Sequence, residues 1–257
     1  MMYFRKNKRT QKQKNSCFPE KMSVLSDRFQ GIPKGHPFRC PPACRKCFQA
    51  CPTQAITLQD EKTAMTLDLG KCLFCGRCAE ACSDHNLEFG KEYRICAFQR
   101  GKLVMDPAAP FVPDKRPNSV TEKLTGKPLK ICHVSCGGCG SCEQTLGTLE
   151  TPAWDMQRFD LEITVSPKHA DILLVTGPVT HNMLTALQKT YHSMPEPRCV
   201  IACGTCAVSG GIYATFEQET CCGADKVLPV DLYIPGCPPH PATLLDALLR
   251  FSGRNSR

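Results

Sequence analysis

A short cysteine pattern occurs twice in the N-terminal third of the chain. In each copy, three cysteines are separated by two and then by three residues, and one more cysteine lies three or four positions upstream. The first copy comprises Cys40, Cys44, Cys47 and Cys51, and the second comprises Cys72, Cys75, Cys78 and Cys82. Thiolates at this spacing bind [4Fe-4S] clusters, and in two-cluster proteins the last cysteine of each run ligates the other cluster. We therefore expect a first set formed by Cys40, Cys44, Cys47 and Cys82, and a second set formed by Cys72, Cys75, Cys78 and Cys51.

Zinc and disulfide bonds are the alternative interpretations of these cysteines. Paired Cys-x-x-Cys runs also build zinc sites, but zinc ribbons contain two separated pairs, whereas each run here has three closely spaced cysteines and a fourth. A zinc-stabilised scaffold without redox function is the corresponding hypothesis. Disulfide frameworks suit short secreted chains, and we expect no secretory signal because no apolar core follows the basic N-terminal segment.

The segment resembles the bacterial two-cluster ferredoxins, and Pro52, directly after Cys51, agrees with their pattern. Two features depart from it: one extra residue lies between Cys40 and Cys44, and Ser83 stands where the second proline is expected. The resemblance implies a small α+β domain with two [4Fe-4S] clusters. Because residues 37–105 contain few continuous apolar runs, we expect cluster ligation to supply much of the folding free energy of this domain.

The pattern changes after a proline-rich stretch to short apolar runs separated by helix-like segments, which predicts parallel strands with crossover helices. Strands are predicted at 129–134, 161–165, 171–176, 199–202 and 227–233, and helices at 143–150, 183–192 and 241–251. Three motifs follow predicted strands: CGSCE, GTCAVSGG and PGCPPHP. Loops at the carboxyl ends of parallel strands converge on one crevice. We therefore expect a third set, formed by Cys139, Cys142, Cys206 and Cys237, to bind a third [4Fe-4S] cluster.

Residues 129–251 resemble the small subunit of [NiFe] hydrogenases and its homologue in respiratory complex I. The stretches HADILLVTGPVT and VDLYIPGCPP are most similar to the energy-converting, formate hydrogenlyase-like branch. The resemblance implies a flavodoxin-like α/β sheet whose single cluster is proximal to the nickel–iron site of a partner large subunit. The hydrogenase branch uses Cys-x-x-Cys at the first ligand pair and the quinone-reducing branch uses adjacent cysteines. The spacing of Cys139 and Cys142 therefore favours hydrogenase.

Some residues beside the third set keep more than one interpretation. Cys136 offers a competing register, Cys136-Gly-Gly-Cys139, although the acid after Cys142 aligns better with the family. That acid, Glu143, lies either on a proton or subunit-contact path or simply favours the helix dipole. Thr145 occupies a position where many relatives carry a second acid. Most of the other eight cysteines are expected to be buried as small apolar residues, with Cys221 and Cys222 as a candidate metal-binding pair.

Charge and hydropathy limit the remaining function classes. The formal charge of +8 resides mainly in the first 21 residues, which hold seven basic side chains and one acidic. We interpret this segment as a solvated tail, or an arm for an acidic partner or anionic membrane surface. No stretch reaches the ~20 apolar residues that span a bilayer, and no nucleic-acid motif accompanies the charge.

The sequence thus predicts an electron-transfer subunit without a catalytic site of its own. Four segments are expected: a basic leader at 1–36, a two-[4Fe-4S] ferredoxin domain at 37–105, a proline-rich linker at 106–128 and the hydrogenase small-subunit-like domain at 129–257. Expected partners are a [NiFe] large subunit, membrane subunits and an electron donor or acceptor such as ferredoxin or formate dehydrogenase, with no nucleic acid. The chain is expected on the cytoplasmic face of the membrane. A nickel-free, complex I-like quinone or ferredoxin oxidoreductase is the alternative.

Overall fold

The structure is a computed structural model that describes residues 18, 25–35, 40, 44–58, 65–114 and 128–254. Most of the basic leader and the 115–127 part of the proline-rich linker lie outside the described residues. No helix in the described ranges is long and apolar enough to cross a bilayer.

The C-terminal part is built on a five-stranded parallel sheet. Its strands are β6 (Leu129–Ser135), β7 (Leu161–Ile163), β8 (Ile172–Thr176), β9 (Cys199–Cys203) and β10 (Leu232–Ile234). Their spatial order is β7-β6-β8-β9-β10, and every neighbouring pair is parallel. Counted within this sheet, the order is 2-1-3-4-5, which is the flavodoxin-like order. The predicted fold class is confirmed.

Alternate residues of the central strands face two separate hydrophobic cores. Leu174 and Ile201 pack into one core, whereas Val175 and Ala202, the next residues along each strand, pack into the other. All residues of β8 and β9 are buried. Burial on both faces explains why these strands read as continuous apolar runs rather than as alternating ones.

The helices of this part are α3 (Ser141–Thr148), α4 (His181–His192), α5 (Thr205–Ser209) and α6 (Pro241–Ser252). Nearly every residue of α6 is buried. Its first turn contains Pro241, His240 Nδ1 accepts a hydrogen bond of 3.1 Å from the Ala242 N–H, and Gly253 ends the helix at φ +73°. These are the expected start and stop signals of a helix.

One strand of the sheet domain was predicted too early, and one short helix was missed. The strand predicted at 227–233 begins only at Leu232. Pro229 has no N–H to donate to a strand ladder, and the Asp231 carboxylate takes the place of a backbone carbonyl by accepting the Val200 N–H at 2.8 Å. The short helix α5 was not predicted, because GTCAVSGG reads as a loop on account of its glycines.

The N-terminal part contains two small antiparallel sheets and two short helices. Strands β1 (Pro33–Gly35) and β4 (Leu87–Phe89) form one sheet, and β2 (Ile56–Leu58), β3 (Met65–Asp68) and β5 (Val104–Met105) form the other. The helices are α1 (Lys46–Ala50) and α2 (Arg77–Glu80). Buried side chains of this part, such as Ile56 and Leu67, belong to the same core as Val175 and Ala202 of the parallel sheet.

Candidate iron–sulfur cluster sites

The first set lies around α1 and the end of α2. Burial raises the pKa of the Cys47 thiol, and negative charge on Cys40, Cys44 or Cys82 raises it further. Burial also raises the pKa of Cys40; the Asn86 amide opposes the rise, and Cys82 and Cys44 add to it. The four cysteines predicted from spacing are therefore electrostatic neighbours, although Cys82 is more than 30 positions from the other three.

Asn86 joins the two distant ends of the first set, and sequence reasoning missed it. Its backbone N–H donates to Cys82 Sγ at 3.3 Å and its side-chain Nδ2 lies 3.8 Å from Cys40 Sγ. Asn86 is one of few buried polar side chains in the described part of the chain, with 8% of its surface exposed. Hydrogen bonds to cluster-ligating sulfurs are a recognised means of setting reduction potential.

The second set lies between the end of α1 and the start of α2. Burial raises the pKa of Cys72 to about 12, and Cys78, Cys51 and Cys75 raise it further. Burial likewise raises the pKa of Cys78 to about 11, with Cys51 and Cys75 as neighbours. Cys51, at the C-terminal end of α1, thus sits with the second run of cysteines rather than with Cys44 and Cys47 of its own run.

Backbone amides point at sulfurs of the second set. The Ala55 N–H donates to Cys51 Sγ at 3.2 Å, and the Phe74 N–H donates to Cys72 Sγ at 3.3 Å. Such bonds stabilise the thiolate form that binds metal. The Phe74 amide lies in the short gap between Cys72 and Cys75, whereas the Ala55 amide belongs to the turn that follows the first run.

The third set lies at the carboxyl ends of the parallel strands, where β6, β9 and β10 deliver their loops. Burial raises the pKa of Cys206 in α5 to about 12, and its neighbours are Cys237, Cys142 and Cys139. Burial raises the pKa of Cys237, which adjoins Cys142, Cys139 and also Cys75 of the second set. In contrast, the hydrogen bond with Ser141, 3.3 Å from Sγ to Oγ, lowers the pKa of Cys139.

Glycines leave room for the sulfurs of the third set. Gly204 has φ +90°, and a Cβ placed on it would lie 2.5 Å from Cys142 Sγ. A Cβ on Gly211 would lie 3.0 Å from Cys206 Sγ. The backbone therefore passes directly against two of the four thiols, and any side chain at these positions would displace a sulfur.

The three groups of thiols fit [4Fe-4S] clusters in donor type and number. A cluster of this kind takes four cysteine thiolates, and each group supplies four thiols from several loops. Within the described residues, no three Cys, His, Asp or Glu side chains are grouped as a single metal ion requires. A four-iron core takes one thiolate at each of four separate iron atoms, so its ligands stand farther apart than those of one ion.

Cys136 lies outside the third set in this arrangement. Its side chain is fully buried, burial raises its pKa to about 12, and its charged neighbours are Glu143 and Cys221 rather than Cys206 or Cys237. Cys96, Cys132 and Cys199 are buried, as expected of small apolar residues. Cys17 lies outside the described residues.

A further thiol, Cys203, contacts the third set from inside the sheet. The hydrogen bond to the Cys142 sulfur, together with burial, raises the pKa of Cys203, which is fully buried at the end of β9. Sequence reasoning treated Cys203 as a packing residue. The only signal for another role was its place three positions before Cys206, at the end of a predicted strand.

Glu143 turns back onto the sheet rather than into solvent. Thr176 Oγ1 donates to its carboxylate at 2.6 Å, and His133 Nε2 lies 3.0 Å from the same hydroxyl. Burial pushes the pKa of Glu143 up, but hydrogen bonds from Ser135 and Thr176 outweigh it and the pKa is lowered. Burial lowers the pKa of His133. Glu143 and His133 are therefore joined through the Thr176 hydroxyl, and both shifts favour the carboxylate and the neutral imidazole.

Two protein-family models match separate parts of the chain. The family model described as NADH ubiquinone oxidoreductase, 20 Kd subunit, matches residues 139–251, and the model described as 4Fe-4S dicluster domain matches residues 39–86. Together the two matched ranges contain all twelve cysteines of the three sets.

The chain is also similar to several named proteins. It is 38% identical to the probable membrane-bound hydrogenase subunit mbhJ of Pyrococcus furiosus over 128 residues, which is 49% of this chain and 75% of the relative. It is 44% identical to formate hydrogenlyase subunit 7 of Escherichia coli over 117 residues, 45% of each chain. It is 34% identical to NAD(P)H-quinone oxidoreductase subunit K 1 of Cyanothece sp. over 158 residues, 60% of this chain and 66% of the relative. On this coverage, the chain belongs to the family of oxidoreductase subunits that includes the 20 kDa subunit of NADH ubiquinone oxidoreductase and carries a 4Fe-4S dicluster domain before it.

Proposed function

We propose that the chain is the electron-transfer subunit of a membrane-associated [NiFe] hydrogenase complex, with three [4Fe-4S] clusters that connect an external electron carrier to a nickel–iron site in a partner large subunit. The observation that carries this proposal is the grouping of twelve cysteines into three sets of four, with Cys75 of the second set adjoining Cys237 of the third. When bound, such clusters accept and donate single electrons.

The proposal assigns one cluster to each set of four cysteines. The first set (Cys40, Cys44, Cys47 and Cys82) and the second set (Cys51, Cys72, Cys75 and Cys78) hold the ferredoxin pair. The third set (Cys139, Cys142, Cys206 and Cys237) holds the cluster proximal to the partner. Asn86 and Cys203 hydrogen-bond these thiols, and the glycines leave room for them.

The proposed segments are the leader at 1–36, the ferredoxin domain at 37–105, the linker at 106–128 and the small-subunit-like domain at 129–257. The shared core supports close docking of the two domains, because Ile56 and Leu67 of the first belong to the same buried hydrophobic cluster as Val175 and Ala202 of the second. Proposed partners are the large subunit, membrane subunits and a carrier such as ferredoxin or formate dehydrogenase, on the cytoplasmic face of the membrane.

A nickel-free quinone or ferredoxin oxidoreductase is the second candidate. It is favoured by the 34% identity to a subunit named NAD(P)H-quinone oxidoreductase. The Cys139-Gly-Ser-Cys142 spacing, which resembles that of hydrogenases, favours the first. Nickel in the complex purified through a tag on this chain supports hydrogenase, and quinone-dependent turnover without nickel supports the second candidate.

The metal content of the full chain tests the proposal directly. Protein prepared without oxygen is expected to contain about twelve irons and as many acid-labile sulfides per chain, as three four-iron clusters require. A chain without acid-labile sulfide contradicts the proposal, and zinc in its place supports a structural scaffold.

The ligand assignment of the third set is tested by a pair of variants. Cys237→Ser is expected to remove about four irons and one paramagnetic signal while the ferredoxin pair stays visible. Cys136→Ala is the matched control, because it removes a buried thiol of the same region that does not adjoin Cys206 or Cys237. Loss of the same signal in both variants indicates the Cys136 register instead.

A further inference from the structure

Helix α5 carries two hydroxyl side chains toward the loop that holds the second set. Thr205 Oγ1 donates to the Cys72 carbonyl at 2.9 Å, and Ser209 Oγ donates to the Gly70 carbonyl at 2.9 Å, with the Thr205 carbonyl as a second acceptor at 3.1 Å. A spacing of four residues places both hydroxyls on one side of the helix. The same helix contains Cys206 of the third set.

Thr205 also holds the loop that contains Cys237. The Gly236 N–H donates to Thr205 Oγ1 at 3.3 Å, and the Thr205 N–H donates to the Gly236 carbonyl at 2.8 Å. The Thr205 hydroxyl therefore donates its one hydrogen to the Cys72 carbonyl and accepts the Gly236 N–H with a lone pair. With 1% of its surface exposed, Thr205 has little competition from water for these bonds.

The residues linked by this one hydroxyl all belong to, or adjoin, predicted cluster ligands. Cys72 is in the second set, Gly236 precedes Cys237 of the third set, and Thr205 itself precedes Cys206. A second, independent observation places the same two sets together, since the Cys75 thiol is an electrostatic neighbour of Cys237.

We propose that Thr205 and Ser209 are positioning residues that fix the second set against the third, so that these two sets form the coupled pair within the chain. This inference rests on the proposed function, because it assigns a role to residues beside clusters that the function requires. The rate of electron transfer falls steeply with the gap between two centres. Two hydrogen bonds of 2.9 Å, the buried one from Thr205 and the half-buried one from Ser209, restrict this gap more than covalent linkage through residues 106–128 does.

Paramagnetic resonance of the fully reduced, cluster-loaded full chain tests this role. Two neighbouring reduced clusters interact magnetically, and the interaction weakens with the cube of their separation. The wild type is expected to show this splitting, and Thr205→Val, which keeps the shape but removes the hydroxyl, is expected to show a weaker one. Thr205→Ser keeps the hydroxyl and should retain the splitting.

Thr190→Val is the matched control, because the Thr190 hydroxyl donates to the Ala186 carbonyl of its own helix at 2.9 Å and, among the described residues, to no cysteine loop. It should leave the spectrum unchanged. A wild type without the interaction, or Thr205→Val with the wild-type splitting, overturns the inference. If Thr205→Val fails to bind its clusters, Ser209→Ala decides: a weakened splitting supports the inference and an unchanged one overturns it. A chain with no acid-labile sulfide refutes the proposed function instead, so the two failures are distinguishable.

Discussion

Replacing Gly204 with alanine is expected to abolish the third cluster while the ferredoxin pair remains. Gly204 has φ +90° and ψ 152°, a backbone region that is essentially restricted to glycine, so alanine there costs about 1–3 kcal/mol. The new Cβ would also lie 2.5 Å from Cys142 Sγ. Favourable contacts of a carbon atom begin at about 3.5 Å, so the sulfur must move by about 1 Å. That exceeds the tolerance of about 0.5 Å within which a constellation of ligands functions.

Two other glycines of the same region separate the contact from the backbone strain. Gly140 has φ +84°, but a Cβ on it would meet nothing within 4 Å. Gly140→Ala therefore introduces left-handed backbone strain of about 1–2 kcal/mol without a contact, at ψ −6° rather than the 152° of Gly204. Gly147 lies within α3, and a Cβ there would also meet nothing within 4 Å. Gly147→Ala should stabilise the protein by about 0.5–1 kcal/mol, as alanine does in a helix interior.

Iron and sulfide per chain, with the paramagnetic spectrum of the reduced protein, form the assay for all three variants. The expected result is loss of about four irons in Gly204→Ala only. Gly204→Ala with a full complement of iron and the wild-type spectrum refutes the reasoning. Equal loss in Gly140→Ala assigns the effect to backbone strain and not to the sulfur contact.

Two further predictions concern stability. Burial lowers the pKa of His240, whose neutral Nδ1 caps α6. The unfolded chain therefore takes up a proton more readily, and the apparent melting temperature should fall as the pH drops below 6.5, the ordinary pKa of histidine. His240→Asn, which caps the helix without titrating, should show a smaller fall. An identical pH dependence in the two proteins contradicts this prediction. Arg100 donates to both oxygens of Asp68 at 2.8 Å from a largely buried position beside the loop that leads to Cys72. Arg100→Leu should lower the free energy of unfolding by about 1–3 kcal/mol and release iron from the second set first on heating. Arg100→Lys should have a stability between those of the wild type and Arg100→Leu. Equal iron release from both ferredoxin sets in Arg100→Leu argues against a local effect.

The pattern of apolar residues, and the prolines and glycines between the elements, allowed the parallel sheet to be predicted from the sequence. Continuous apolar runs such as Ile172–Thr176 are typical of strands covered on both faces, and α6 had clear signals in Pro241 and its leucine stripe. The strand predicted at 227–233 was too long, because the prediction used apolar content and ignored that Pro229 has no N–H to donate to a strand ladder. The proposed division of the cysteines into three sets rests on local spacing in the ferredoxin segment and on strand topology in the sheet. Both depend only on positions along the chain.

Residues that act on the cysteines from a distance had no comparable signal. Asn86 bridges two sulfurs of the first set, with its backbone N–H on Cys82 and its side-chain amide on Cys40. The Thr205 hydroxyl donates to the Cys72 carbonyl, 133 positions away. An isolated Asn or Thr is compatible with any surface or turn, so nothing in its type or spacing indicates such a partner. These contacts exist only because the fold brings separate segments together, and a single sequence contains no record of that proximity.

The shared core changes how the folding of the ferredoxin segment should be understood. From its composition, we predicted that cluster ligation supplies much of its folding free energy. Its buried side chains, however, pack with those of the parallel sheet, and Ala97 forms an antiparallel bridge with Tyr233 at the edge of that sheet. Burial of apolar surface against the sheet adds a second source of stability that the segment would not have alone. The same surface holds Cys72 beside α5, so the contacts that stabilise the segment also fix the second set against the third, as the proposed electron transfer between them requires.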